Sequence, residues 1–194
     1  MAVGRLKFAN AEPLVSLLHN PFQAKFMADR RRRVCRAHGH EWNYTYDGKP
    51  RSIACPICHG DSIRGFIRFL LRAGRRGGKT RICALAMIEE LTIPYALWWA
   101  TAPTYRMLED YVLPAFFNQI PQVWIDHPQT EWSESELTLR LPNRAIAQFR
   151  SLENPDSGRG PGLDGLWMDE IALLSLMHWE TISPTLADKR GILI

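Results

Sequence analysis

The stretch RAGRRGGKT, Arg72 to Thr80, decides the fold. It follows the apolar run GFIRFLL (65–71) and opens RICALAMIEEL (81–91), which reads as a helix. A glycine-rich turn between strand and helix that ends in Gly-Lys-Thr is built to hold a triphosphate. Gly74, Gly77 and Gly78 allow backbone N–H groups to turn toward an anion. The helix start adds its partial positive charge. Lys79 can reach the β and γ phosphates of ATP, and the Thr80 hydroxyl can ligate Mg²⁺. The loop departs from the usual pattern at Ala73, where a glycine is expected, and it carries Arg75 and Arg76 inside it. A methyl group at 73 fits wherever φ is negative, so residues 73 to 80 remain the expected nucleotide-binding set.

A second element belongs with such a loop. LWMDE (166–170) is an apolar run ending in two acids, about 90 residues downstream of the loop. Asp169, at the carboxyl end of a buried strand, can hold Mg²⁺ through water. Glu170 can polarise an attacking water, which favours hydrolysis over group transfer. Between loop and acids the pattern alternates. A strand is expected over 66–72, a helix over 79–91, a strand over 95–101, and a helix from about Thr104 that Pro114 ends or kinks. ELTLRL, the turn PNR and AIAQFRS (136–151) read as a hairpin at period two. GLWM, a helix over about 173–180 and the strand RGILI complete the order. Strands alternating with helices predict an α/β fold with a mostly parallel sheet. Cys83, Trp98 and Trp99 are expected in its core.

The 194 residues are 46% apolar, enough for a sizeable core, and the net charge is +4 with a pI near 9.0. That mild basicity is compatible with a nucleic-acid partner. The arginines cluster at 30–33 and around the loop. The first 20 residues carry no secretory pattern, and no apolar stretch approaches membrane-spanning length, so an intracellular protein without membrane association is expected.

Residues 35–62 differ in kind. They hold three of the four cysteines and three of the six histidines, with few aliphatic residues. Cys55-x-x-Cys58 reads as a zinc knuckle. Its partner is Cys35 with either His38 or His40, which sixteen and fourteen intervening residues separate from Cys55. Glycine after the second ligand favours His38. The string GHEW resembles a family of zinc ribbons in which that histidine binds, which favours His40 by a small margin. His59 is a weaker candidate. Four protein ligands leave no open position, so the expected Zn²⁺ is structural.

Taken in order, these segments resemble the ATPase domain of phage large terminase subunits, the motors of viral DNA packaging. NPFQAKF (20–26) is similar to that family's adenine-contacting motif and RAGRRGGKT to its deviant phosphate loop. ALWWATAPTYRMLEDYVLP (96–114), FRSLENPDSGRGPGLDGLWMDE (149–170) and SPTLADKRGILI (183–194) resemble its later segments. The resemblance spans 20–34 and 66–194. It implies a P-loop NTPase of the additional-strand, catalytic-glutamate type, with ATP and Mg²⁺ as cofactors. Gln23 would contact adenine, Glu170 would be the catalytic base, and an arginine would reach the γ phosphate, either Arg75 or Arg76 in cis or Arg190 from a neighbouring subunit. Arg159, in the loop before the acid strand, would touch nucleotide or relay its state. The implied partners are double-stranded DNA, the portal protein, the small terminase subunit and further copies in a ring, in the cytoplasm of an infected bacterium. The organisation expected is a helical segment over 1–34, a zinc-binding insert over 35–62 and an ATPase core over 63–194. The coupling motif and nuclease domain that follow in the family would lie beyond Ile194, so nuclease activity is not expected of this chain. Two other readings compete. One is a helicase-like P-loop translocase with a zinc module, which a second motor domain would favour. The other is a non-hydrolysing zinc-stapled adaptor for DNA or portal, against which Glu170 argues.

Overall fold

The structure, a computed structural model, describes residues 26, 32–35, 37–39, 41–43, 57–59, 62–64, 68–72, 77–187 and 189–194. The chain divides into two compact units, one containing 7–69 and the other 70–194. Each is described separately.

The smaller unit holds a three-stranded antiparallel sheet of β1 (Arg32–Cys35), β2 (Glu41–Asn43) and β3 (Ser62–Arg64), with β1 in the middle. Val34 pairs with Glu41 on one side and Ile63 on the other. Strands this short cannot support themselves by pairing alone. Phe26 is buried in this unit and meets Phe69 edge to face at 5.4 Å.

The larger unit is built on a six-stranded sheet in the order β5-β6-β7-β4-β8-β9. Its strands are β4 (Leu97–Ala102), β5 (Glu131–Ser133), β6 (Thr138–Arg140), β7 (Ile146–Ser151), β8 (Gly165–Met168) and β9 (Ile192–Leu193). The pairs β7–β4, β4–β8 and β8–β9 are parallel, while the hairpins β5–β6–β7 are antiparallel. The expected mostly parallel α/β sheet is therefore present. Buried on both faces, β4 is an almost continuous apolar run, as a central parallel strand should be. Trp98, Trp99 and Cys83 are in the core as anticipated.

Helix α1 (Lys79–Glu90) is buried from Ile82 to Glu90, so no clean amphipathic stripe marks it. Its carboxyl end is tied to the sheet by Asn143, whose side-chain amide donates to the Leu91 carbonyl at 2.9 Å and accepts from Ala145 N–H at 3.0 Å. Gln119 holds the other end, pairing with the Arg81 guanidinium and the Arg81 carbonyl.

Three expectations are corrected. Arg32 to Val34, expected at the end of a helical segment over 1–34, form β1 with Cys35, because they pair on both sides with β2 and β3. Of the strand expected over 66–72, the described residues 68–72 show only an isolated bridge at Arg68 and contribute nothing to the six-stranded sheet. Leu70 is 80% exposed, so burial does not hold it in a core ladder. Pro114 does not end its helix. After the single turn α2 (Tyr105–Met107) the chain takes a π turn over Leu108–Val112 and resumes as α3 (Leu113–Phe117), with Pro114 in its first turn. There the missing N–H costs little, and the wider π turn absorbs the mismatch upstream. Thr104 caps the start, accepting from Met107 N–H at 3.2 Å.

Candidate active site

Gly78 is the N-cap of α1 with φ 75° and ψ 24°, the left-handed region. Glycine there avoids the Cβ clash of other residues. No side chain caps this helix, and no acid lies in its first turn. A helix start of this kind, with its N–H groups and partial positive charge, is an arrangement that attracts phosphate. Lys79 and Thr80 are the first two residues of the helix.

The acids arrive from the neighbouring strand. Asp169 directly follows β8, and its N–H donates to the Thr101 carbonyl on β4 at 2.9 Å. That bond fixes the carboxylate at the carboxyl ends of the parallel strands, where α/β proteins place ligands. The Thr80 hydroxyl lies 3.4 Å from each carboxylate oxygen of Asp169. Two oxygens sharing Mg²⁺ as adjacent ligands at ~2.1 Å would be ~3 Å apart. The pair therefore fits Mg²⁺ with a small adjustment, or with a water interposed. Burial pushes the Asp169 carboxyl above the usual carboxylate range and the neighbouring Glu170 charge adds to this; the Thr80 hydroxyl and the Lys79 charge pull the other way. A cation beside it would relieve the same penalty.

Glu170 is exposed at this carboxyl end, with φ 49° and ψ 44°. A left-handed glutamate is strained, and it turns the chain sharply from strand into a short 3₁₀ turn, Ile171–Leu173. The sequence gives no sign of this strain. Thr101 was not singled out either; its only hint is its place in ATAPTY, at the end of the central strand.

The structure thus brings Thr80 and Asp169 together, with Gly77, Gly78 and Lys79 leading into the same helix start and Glu170 following Asp169. Gln23, Ala73, Gly74, Arg75, Arg76, His40 and Cys55 lie outside the described residues. Arg159 is exposed and pairs with Asp156 at 3.1 Å. Arg190 is exposed in a turn before β9, with φ 49°. Gly165 of β8 lies beside Ile192 of β9 in parallel register. Arg190 is therefore level with the entry to β8, about six residues below Asp169, or ~20 Å at ~3.3 Å per residue. The two are at opposite ends of the sheet.

In the smaller unit, Cys35, His38 and Cys58 gather with their ligand atoms within 4.8 Å of one another. Among the described residues no helix is long and apolar enough to cross a membrane.

No family model matches the chain. A curated terminase large subunit of Thermus virus P23-45 is 29% identical over 136 residues, covering 61% of this chain and 28% of that protein. The ATPase domain of the large terminase from Thermus phage P74-26 superposes with a TM-score of 0.58 at 25% identity, over 66% of this chain and 57% of that one. The bacteriophage HK97 large terminase shares the fold, with a TM-score of 0.54 at 15% identity over 89% of this chain and 36% of that one. The chain thus spans under a third of the length of its curated relatives. By sequence and by fold, the chain is similar to phage large terminase subunits, and its larger unit has the α/β fold of their ATPase domain.

Proposed function

We propose that this chain is the ATP-hydrolysing motor domain of a terminase large subunit, driving double-stranded viral DNA into a procapsid. The observation that carries the reading is the Thr80–Asp169 pairing at the uncapped start of α1, with Glu170 as the next residue. ATP supplies the scissile phosphoanhydride, and Mg²⁺, when bound by Thr80 and Asp169, would supply positive charge beside it. The N–H groups opening α1 and the Lys79 ammonium bind the β and γ phosphates. Thr80 and Asp169 hold the metal. Glu170 orients the attacking water and accepts its proton. Gln23 reads the adenine edge, and Ala73 to Gly77 complete the phosphate loop.

An arginine completes the charge balance at the γ phosphate. Arg190 serves this role from a neighbouring subunit, because within its own chain the length of the sheet separates it from Asp169. Arg75 or Arg76 is the alternative in cis. A trans arginine implies a ring of copies, assembled with the portal protein and the small terminase subunit in the infected host's cytoplasm. Steady-state ATPase measurements on the purified chain and its assembled form test the reading. Magnesium-dependent turnover abolished by Lys79→Ala supports it, and tight nucleotide binding with no turnover under any assembly condition overturns it in favour of a non-hydrolysing adaptor.

A further inference from the structure

We infer that Cys35, His38 and Cys58 hold a zinc ion that closes the three-stranded sheet, with His38 rather than His40 as the histidine ligand. The Sγ atoms of Cys35 and Cys58 are 3.6 Å apart, and Cys35 Sγ is 3.8 Å from His38 Nδ1. A disulfide would need ~2.05 Å between sulfurs, so the cysteines are not joined. Two thiolates at ~2.3 Å from zinc and a tetrahedral angle apart are ~3.8 Å from each other, and a thiolate and an imidazole nitrogen are ~3.5 Å apart. The observed separations are those of ligands around one tetrahedral ion.

The local backbone repeats itself. Cys35-x-x-His38 and Cys55-x-x-Cys58 share one spacing, and in each the residue after the second ligand is left-handed: Gly39 with φ 70° and His59 with φ 55°. Gly39 N–H closes the first turn by donating to the Cys35 carbonyl at 2.9 Å. Strand β1 runs into the first turn and β2 leaves it, while β3 follows the second. His38 thus occupies in the first turn the place that Cys58 occupies in the second. The matching first ligand of the second turn is Cys55 by sequence, and it lies outside the described residues. Three ligands already gathered, two of them thiols, suit zinc by their softness and geometry. The energetic reason is the shortness of the strands: zinc ligation supplies folding free energy that four- and three-residue strands cannot.

The test is metal content of the intact chain by mass spectrometry, with cobalt(II) exchanged into the site as a spectroscopic probe. One zinc per chain is expected, and the cobalt form should show a tetrahedral ligand field with thiolate charge transfer. His38→Ala should weaken zinc affinity by more than the ~10–100-fold that loss of an outer-layer partner costs. His40→Ala should leave it within a few-fold, and His38→Cys should retain the metal. Loss of zinc in His40→Ala with retention in His38→Ala overturns the ligand assignment. Well under one equivalent of zinc with all four thiols reactive, or an octahedral cobalt spectrum, overturns the site itself, even if the variants fail to fold. Nucleotide turnover is measured separately, so failure here is distinguishable from failure of the motor reading.

Discussion

Replacing Glu170 should separate stability from turnover, because strain and chemistry meet in one residue. Its backbone is left-handed at φ 49°, ψ 44°. That conformation costs a non-glycine residue ~1–2 kcal/mol. Glycine relieves the cost but is freer in the unfolded chain by ~0.4–1 kcal/mol. Glu170→Gly should therefore be more stable than Glu170→Ala by ~0.5–1 kcal/mol net, which for a chain of this size raises Tm by ~1–4 °C. Glu170→Gln retains the side-chain length and the strained turn, and should resemble the parent in stability. All three remove the base and should lose ~10²–10⁴ in turnover while still binding nucleotide. Differential scanning calorimetry and single-turnover hydrolysis read the two effects. If Glu170→Ala is as stable as Glu170→Gly, the left-handed turn is not occupied in solution. If Glu170→Gln hydrolyses at the parent rate, the base is elsewhere.

Lys79→Ala should abolish nucleotide binding in a fluorescent-nucleotide titration, since Lys79 contacts ground-state phosphates; unchanged affinity would remove it from the site. Arg190→Ala should cost ~10³–10⁵ in turnover within an assembled ring if it behaves as an arginine finger. Mixing it with Lys79→Ala should then restore part of the activity, because some interfaces pair an intact pocket with an intact finger. A mixture that stays inactive in a demonstrated ring would refute the trans role and point to Arg75 or Arg76, and the same mixing with Arg159→Ala tests the exposed arginine before the acid strand. Gly165→Ala should destabilise by ~1–3 kcal/mol, since a Cβ there would sit 2.1 Å from the fully buried Trp98 ring; a thermal unfolding midpoint equal to the parent's would contradict that packing.

The parts that sequence made legible are those encoded locally. GGKT at a helix start and LWMDE at a strand end are each complete within a few residues, so both halves of the site could be named before their contact was seen. The contact itself, Thr80 against Asp169 across 89 residues, followed from parallel strand order. Strand β5 left no signal: it is three residues long, with Glu131 and Trp132 exposed at an edge, so it has no buried face to write an alternating pattern. The π turn before Pro114 was invisible because periodicity averages over such a local widening. His38 and His40 both satisfy the ligand spacing, and it is the fold of the first turn that sets the His38 ring 3.8 Å from the Cys35 sulfur. The left-handed backbone of Glu170 is set by the tertiary demand to leave β8 sharply at Asp169, against the residue's own preference.

The adjacent basic pair at the other end of the sheet shows how the fold divides two roles that the sequence leaves side by side. Lys189 Nζ reaches Asp164 Oδ2 at 3.2 Å, and that same oxygen accepts Leu97 N–H at 2.8 Å. Asp164 is buried, so removing Lys189 would take a cation away from a buried carboxylate. Lys189 thereby fastens the turn before β9 to the start of β4. Arg190, held left-handed by the same turn, projects from the domain while its base is fixed by Lys189 and by Gly191 N–H donating to the Leu186 carbonyl. A rigid mount at the end of the sheet far from Asp169 is a poor place for a group serving its own chain's nucleotide. It is a good place for one presented to another chain. β9 lies directly beside β8 in register, so the turn that carries Arg190 and the strand that ends in the acid pair are neighbours in one sheet. If Arg190 acts in trans, as proposed above, this strand pair is the structure that joins one chain's acid pair to the arginine it offers the next.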